Sequence, residues 1–517
     1  MLRRKFWILL FAATIAVSCS EDDKITVEQG QEQEQPVDEP TGPDMENRDR
    51  LLELTQKYDY DPEDFQQTFV QYLSYYLMAL GLDTESMGVT QEDMSSLIEQ
   101  YMDYYFNVLK RKFMLEGHVG GYKFVKQCFT YRSVRSNGDS ATFSGAVMYP
   151  SPLYGGRHKV DGLCFVHQYA NMDNNNTLSN AFDLYNLRVM FNQALIFSDT
   201  EGFGADYGSY VPYFDGYAKG RQNVDAAIAA AQFLKGKGIS VSENGYTENI
   251  GVSLGANAAL GTQKYFESAK CPKWVGEEVL RDFRTFAGNG PTSISRVFDH
   301  YCETDFLYFT FIVPMMVSTM YAGDPSIDDY YSYLDFFDEH ANDRTIRNSA
   351  RVKKGELDVF FETLLPFSSL FSYLRDYKNS MKSLMNSSLY TEDGTLNREK
   401  KQVQLLYNSL KKVEISDGWA PEHPIVMVHS TDDSLIPYYT SYDSYLDFIE
   451  NDGNVVFIPT SGDHLESSVL SMIYASIIER PSLLFGADFD VLRNIDITSL
   501  MLELRQLIEY LEQQQQD

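Results

Sequence analysis

The stretch IGVSLGANAAL, residues 250–260, decides the fold. Ser253 sits in it between Gly251 and Gly255, two residues from each. That spacing suits a strained strand-to-helix turn with a nucleophile at its tip, where neighbours two residues away must be small. It also arises by chance in a glycine-containing chain, so the flanks carry the weight. YTENI before it supplies a short, weakly apolar strand, and LGANAALGTQKYFE after it a helix. The start of that helix, beneath Ser253, favours a developing negative charge.

A serine needs a base, and the base an orienting acid. Eight histidines make the search short. His118 and His158 precede the core strands, His300 and His340 fall in a long insert, and His423 opens a loop. His464 follows the strand VVFIP in the loop TSGDH, a position that suits the base. Asp433, one strand earlier in HSTDDSLIP, suits the acid, with Asp432 as its neighbouring competitor. His429 ends that earlier strand and reads as structural, because the base should follow the acid. The chain order is then nucleophile Ser253, acid Asp433, base His464.

The surrounding pattern supplies a sheet for these residues. KQCFTYRSV and ATFSGAVMYP flank Ser136-Asn137-Gly138-Asp139, a hairpin signal. The apolar runs GLCFVHQ, ALIFSDTEGFG, RTFAGNGP, HPIVMVHSTDD and NVVFIPTSGDH alternate with the helical stretches LSNAFDLYNLRVMFNQ and NVDAAIAAAQFLKGKG. This predicts an α/β class chain with a mostly parallel, doubly wound sheet and flanking helices. Each strand ends in polar residues or glycine, where such sheets hold ligands. Residues 118–290 and 415–517 form the core in this reading. Residues 291–414 form a helical, aromatic-rich cap insertion, too long for an ordinary connection. FLYFTFIVPMMV within it is too short to span a bilayer and contains Pro314, so it predicts a buried helix or lid. Residues 46–117 read as a helical N-terminal extension, and ITSLMLELRQLIEYLEQQQQD as a terminal amphipathic helix.

The chain has 517 residues with 44% hydrophobic and 14% aromatic content, enough for a large core. Its formal net charge of −31 repels phosphate backbones, so nucleic acid is not an expected partner. Arg3, Arg4 and Lys5 precede a short apolar run from Phe6 to Val17, the pattern of an export signal. Ala16-Val17-Ser18-Cys19 resembles a bacterial lipoprotein signal, which implies residues 1–18 as signal peptide and lipidation of Cys19. The acidic Ser20-Glu21-Asp22-Asp23 is similar to the surface-export tag of Bacteroidetes lipoproteins. Residues 19–45 then form an acidic, disordered tether. Four further cysteines fit no zinc spacing, Cys164 reads as core, and Cys271 and Cys302 are a possible pair.

With the hairpin strand ending SGAVMYP, GLCFVHQYA, the loop DTEGFG, the glycine–serine turn, GNGPTSISRVFDHY, HSTDDSLIP and SGDH in place, the chain resembles the α/β-hydrolases. Within them it is similar to the secretory lipase-like esterases of Bacteroidetes. The resemblance implies an α/β-hydrolase fold and the triad Ser253, Asp433 and His464. It implies an oxyanion hole from the backbone N–H of Leu254 and a second N–H from Gln168 or Tyr169. His167-Gln168-Tyr169 stands where relatives carry a His-Gly pair, which leaves that second donor open. Relatives carry Gln and Gly where this chain has Leu254 and Ala256; a backbone donor survives the first change, and alanine is still small.

The expected activity is hydrolysis of a small-molecule or acylated carboxylic ester through an acyl-enzyme, with no metal or organic cofactor. The expected setting is a lipoprotein held to a membrane through Cys19, at the outer membrane or cell surface. One alternative is a serine peptidase of the prolyl-oligopeptidase type, against which residues 46–117 show no blade repeats. Another is a catalytically silent surface lipoprotein that binds through its cap, against which the intact Ser, Asp and His argue.

Overall fold

The computed structural model of the protein describes residues 48–79, 91–167, 184–206, 210–306, 312–338 and 380–478, with residue 481. The strands are β1 (Leu51–Tyr60), β2 (Tyr122–Val134), β3 (Ser140–Pro152), β4 (His158–His167), β5 (Gln193–Ser198), β6 (Ile239–Val252), β7 (Phe283–Gly288), β8 (Ile425–Ser430) and β9 (Val455–Thr460). They form one sheet in the order β1-β2-β3-β5-β4-β6-β7-β8-β9. The pairs β1/β2, β2/β3 and β3/β5 are antiparallel. From β5 through β4 to β9 every pair is parallel. The hairpin predicted at Ser136–Asp139 joins β2 to β3, with Gly138 at φ 96°, a conformation glycine adopts without strain.

Among the described helices, α1 is Pro62–Ala79, α2 Gln91–Leu115, α3 Gly216–Gly236, α4 Leu254–Phe266, α5 Ile294–Thr304, α6 Ile312–Gly323, α7 Lys401–Lys412, α8 Tyr438–Glu450 and α9 His464–Ile477. Apolar side chains from both sheet faces are buried beneath them. Phe129, Phe165 and Phe283 pack with α3 residues such as Val224 and Phe233. Phe124, Val252, Phe286 and Val428 pack with α2 and α9 residues such as Phe113 and Ile473. Burial of this kind contributes roughly 25 cal/mol per Å² of apolar surface removed from water.

One expectation is corrected here. The region 46–117 is not wholly helical, because Leu51–Tyr60 is an edge strand paired with β2. Most of its side chains are exposed, so no buried face marked it in the sequence. Its register comes from backbone bonds to residues about 70 positions away, and its start is fixed by α3. There Asp225 takes the Arg50 guanidinium at 2.6 Å in a buried pair, and Gln232 Oε1 accepts the N–H groups of Arg50 and Leu51. Removing one partner of such a pair costs roughly 3–5 kcal/mol, because the other charge is left buried. The helical reading of LSNAFDLYNLRVMFNQ holds over its described part, which forms a 3-10 helix, Leu184–Phe191. The weak strand YTENI lies within the 14-residue β6, which ends two residues later at Val252.

The apolar segment around Pro314 is α6, whose residues from Ile312 to Ala322 are buried, in line with the expected buried helix. Residues 1–47, the insert stretch 339–379 and the terminal segment 497–517 lie outside the described residues. No helix among the described residues is long and apolar enough to cross a membrane.

Candidate active site

Strand β6 turns into α4 at Ser253, whose φ is 56° and ψ −124°, an unfavourable region for a side-chain-bearing residue. The turn is held by Ser253 N–H donating to the Gly288 carbonyl at 2.7 Å. The flanking glycines are sterically required. A Cβ on Gly251 would lie 2.0 Å from the Gly255 carbonyl oxygen, and one on Gly255 would lie 2.1 Å from that of His167. Ala256, by contrast, is tolerated because Gly290 faces it; a Cβ there would come within 2.4 Å of the Ala256 methyl.

His464 is the first residue of α9 and is buried. Its Nε2 lies 2.9 Å from Ser253 Oγ and its Nδ1 2.7 Å from Asp433 Oδ2. An ionised carboxylate only accepts, so Nδ1 carries the hydrogen and neutral Nε2 is free to accept from the serine hydroxyl. Asp433 follows β8. Its Oδ1 accepts the N–H groups of Leu435 at 2.9 Å and Ile436 at 2.8 Å. Burial pushes this carboxyl up, but the attraction of His464 and hydrogen bonds from His429 and His464 outweigh it and hold it well below the usual carboxylate range.

The competing Asp432 is exposed and turns toward Gly462 N–H at 3.4 Å. His429 is buried, donates from Nε2 to the Ile436 carbonyl at 2.9 Å, and stands 3.3 Å from Asp433 Oδ2. It therefore backs Asp433, while His464 is the histidine that meets Ser253. Of the other histidines, His158 meets Glu116 and Asn192, and His423 meets Glu267.

Leu254 is the first residue of α4. Its N–H is among those that a helix start leaves without an intrahelical acceptor. Strand β4 runs beside β6 and ends at His167, which pairs with Gly251, two residues before the serine. Gln168 and Tyr169 lie outside the described residues. His167 itself turns inward. Its Nε2 donates to Asn249 Oδ1 at 2.6 Å, and its Nδ1 accepts from Asn223 at 3.2 Å. Burial lowers it to about 4, so it stays neutral and anchors the strand end.

Leu254, Leu435, Ile436 and Phe203 share one buried apolar cluster with Met315, Met316, Met320, Met381 and Met385 of the 291–414 stretch. Tyr301 of α5 donates to the Leu435 carbonyl at 2.6 Å, joining α5 to the loop that carries Asp433. Cys271 and Cys302 are free thiols and form no bridge. The residues that sequence reasoning left without a role are Gly288 and Asn289. They close β7 between the strands that carry Ser253 and Asp433, and the run GNGP was their only signal.

A sheet of this order, with a serine turn after β6 and strand-end Asp and His in chain order, defines the α/β-hydrolase fold, and this chain has it. Solved structures agree. The rice cell wall degrading esterase LipA from Xanthomonas oryzae superposes with a TM-score of 0.55 at 16% identity, covering 83% of this chain and 98% of its own. Lipase A of Candida antarctica, in its closed state, gives a TM-score of 0.50 at 14% identity over 71% of this chain and 79% of its own. No family model matches the sequence, and no curated protein matches it.

Proposed function

We propose that the protein is a serine hydrolase that cleaves carboxylic esters through an acyl-enzyme. The observation that carries this reading is the continuous relay from Ser253 Oγ through the His464 ring to Asp433, at 2.9 and 2.7 Å. In the acylation step Ser253 Oγ attacks the acyl carbon as His464 Nε2 takes its proton. Asp433 stabilises the imidazolium that forms. The oxyanion accepts from Leu254 N–H and from a donor in the segment Gln168–Tyr169. One such donor contributes about 3 kcal/mol to the barrier reduction. His464 then returns the proton to the leaving alcohol, and the same steps with water release the acid. The likeness to an esterase and a lipase supports ester over amide substrates, and the methionine-rich cap supports an apolar acyl or aryl group, since methionine packs adaptably.

The test is chemical. A fluorophosphonate reagent added to the full-length chain should form a single adduct, mapped by peptide mass to Ser253. Short acyl p-nitrophenyl esters should turn over while dipeptide amides do not. An adduct elsewhere, or none, sinks the reading; turnover of the amides alone transfers it to a peptidase.

The proposal extends to location. Residues 3–19 support export, with Cys19 lipidated and the chain held at the outer membrane or cell surface. Cys19→Ala is expected to move the protein from the membrane fraction to the soluble fraction after cell lysis. A protein that fractionates as wild type would remove the anchor from the proposal.

A further inference from the structure

We propose that Asn289 is a positioning residue that holds the three proposed catalytic groups in register, an inference that rests on the Ser253–His464–Asp433 reading above. Strand β7 lies between β6, which delivers Ser253, and β8, which leads to Asp433, yet it contributes no member of the triad. Its last residues contact the segments that carry all three. The Gly288 carbonyl accepts Ser253 N–H at 2.7 Å, fixing the strained turn. Asn289 is completely buried and sits at φ 52°, a left-handed conformation that asparagine tolerates better than most residues. Its own N–H donates to the Val428 carbonyl at 2.7 Å.

The side chain reaches in two further directions. Oδ1 accepts Ser430 N–H at 2.9 Å, three residues before Asp433, and the Ser430 carbonyl in turn accepts Asp433 N–H at 3.3 Å. Because the Ser430 partner is a backbone donor, the amide orientation is determined: oxygen faces β8 and nitrogen faces α9. Nδ2 donates to Ser471 Oγ at 3.3 Å, and Oδ1 also lies 3.1 Å from Ser467 Oγ, which shares its proton with the Asp463 carbonyl at 2.9 Å. Ser467 and Ser471 sit one and two turns along the helix that begins at His464. One amide thus spans the acid strand and the base helix, while the adjoining peptide holds the nucleophile. In a buried site these bonds face no competition from water, so they fix geometry tightly.

The test uses the full-length chain with Asn289→Gly, which accommodates the positive φ and removes the side chain with its amide. With p-nitrophenyl butyrate we expect kcat to fall about 10- to 100-fold, the scale of a sub-ångström to one-ångström misplacement, with KM within about twofold. The rate of fluorophosphonate labelling should fall by a similar factor. A folded Asn289→Gly protein with kcat within about threefold of wild type, or one whose loss lies wholly in KM, overturns the inference. Should that variant not fold, Ser471→Ala removes one arm alone. A fall in kcat of about threefold or more supports the role, and unchanged kcat overturns it. Wild-type turnover with an indifferent Asn289 fails this inference only. Labelling of Ser253→Ala equal to wild type fails the triad reading and this inference with it.

Discussion

Replacing Ser253 with alanine is expected to lower kcat for p-nitrophenyl esters about 10⁶-fold, the loss seen when a serine nucleophile acting as part of a triad is removed. The substitution should leave the fold intact. Alanine keeps the Cβ that already sits at φ 56°, and the turn is held by the backbone bond from residue 253 to Gly288, which alanine preserves. The only side-chain bond lost is the one to His464 Nε2. Residual hydrolysis above the water rate, from the oxyanion donors alone, is expected to be about 10³- to 10⁴-fold. The measurement is initial-rate hydrolysis together with circular dichroism. A folded variant with more than a tenth of wild-type turnover would show that Ser253 is not the nucleophile.

Asp433→Asn is expected to cost about 10⁴-fold in kcat with little change in KM. Here geometry survives and protonation fails. Oδ1 can remain the acceptor for Leu435 and Ile436 N–H, so the loop keeps its shape. The amide NH₂ then occupies the place of Oδ2, 2.7 Å from His464 Nδ1, and meets a donor with a donor. The imidazole adopts the other tautomer, with its proton on Nε2, and no longer accepts from Ser253. The same substitution changes acid stability, and the sign follows from linkage. The folded carboxyl is depressed, so it adds stability above its unfolded value of about 3.9, and that contribution is lost as pH falls through the lower folded value. The variant should lack this component of acid unfolding. Full turnover in Asp433→Asn would return the role of acid to Asp432.

Much of the site was legible because its residues act through local rules. A Cβ on the glycine at either side of Ser253 would meet backbone at about two ångströms, so that spacing, read with the strand before it and the helix after it, marked the turn. Asp433 and His464 follow apolar strands at a distance of three and four residues, in polar stretches, a pattern visible in a window of ten residues. The choice between Asp433 and Asp432 was not visible there. Adjacent residues share a window, and only the path of the loop turns one toward His464 and the other toward Gly462.

The sequence by itself determined the strand and helix order of the core, the strained serine turn and the chain order of Ser253, Asp433 and His464, because each follows from periodicity or from steric demand between near neighbours. Tertiary structure alone decided the rest. The edge strand β1 exists through backbone bonds to β2 that leave no hydrophobic pattern of their own. Ala256 is permitted only because Gly290 lies opposite it, and Asn289 gains its partners only when β8 and α9 are docked on either side. Hydrogen bonds and close approaches between distant residues depend on where segments meet in space, and that information is not carried by the spacing of residues along the chain.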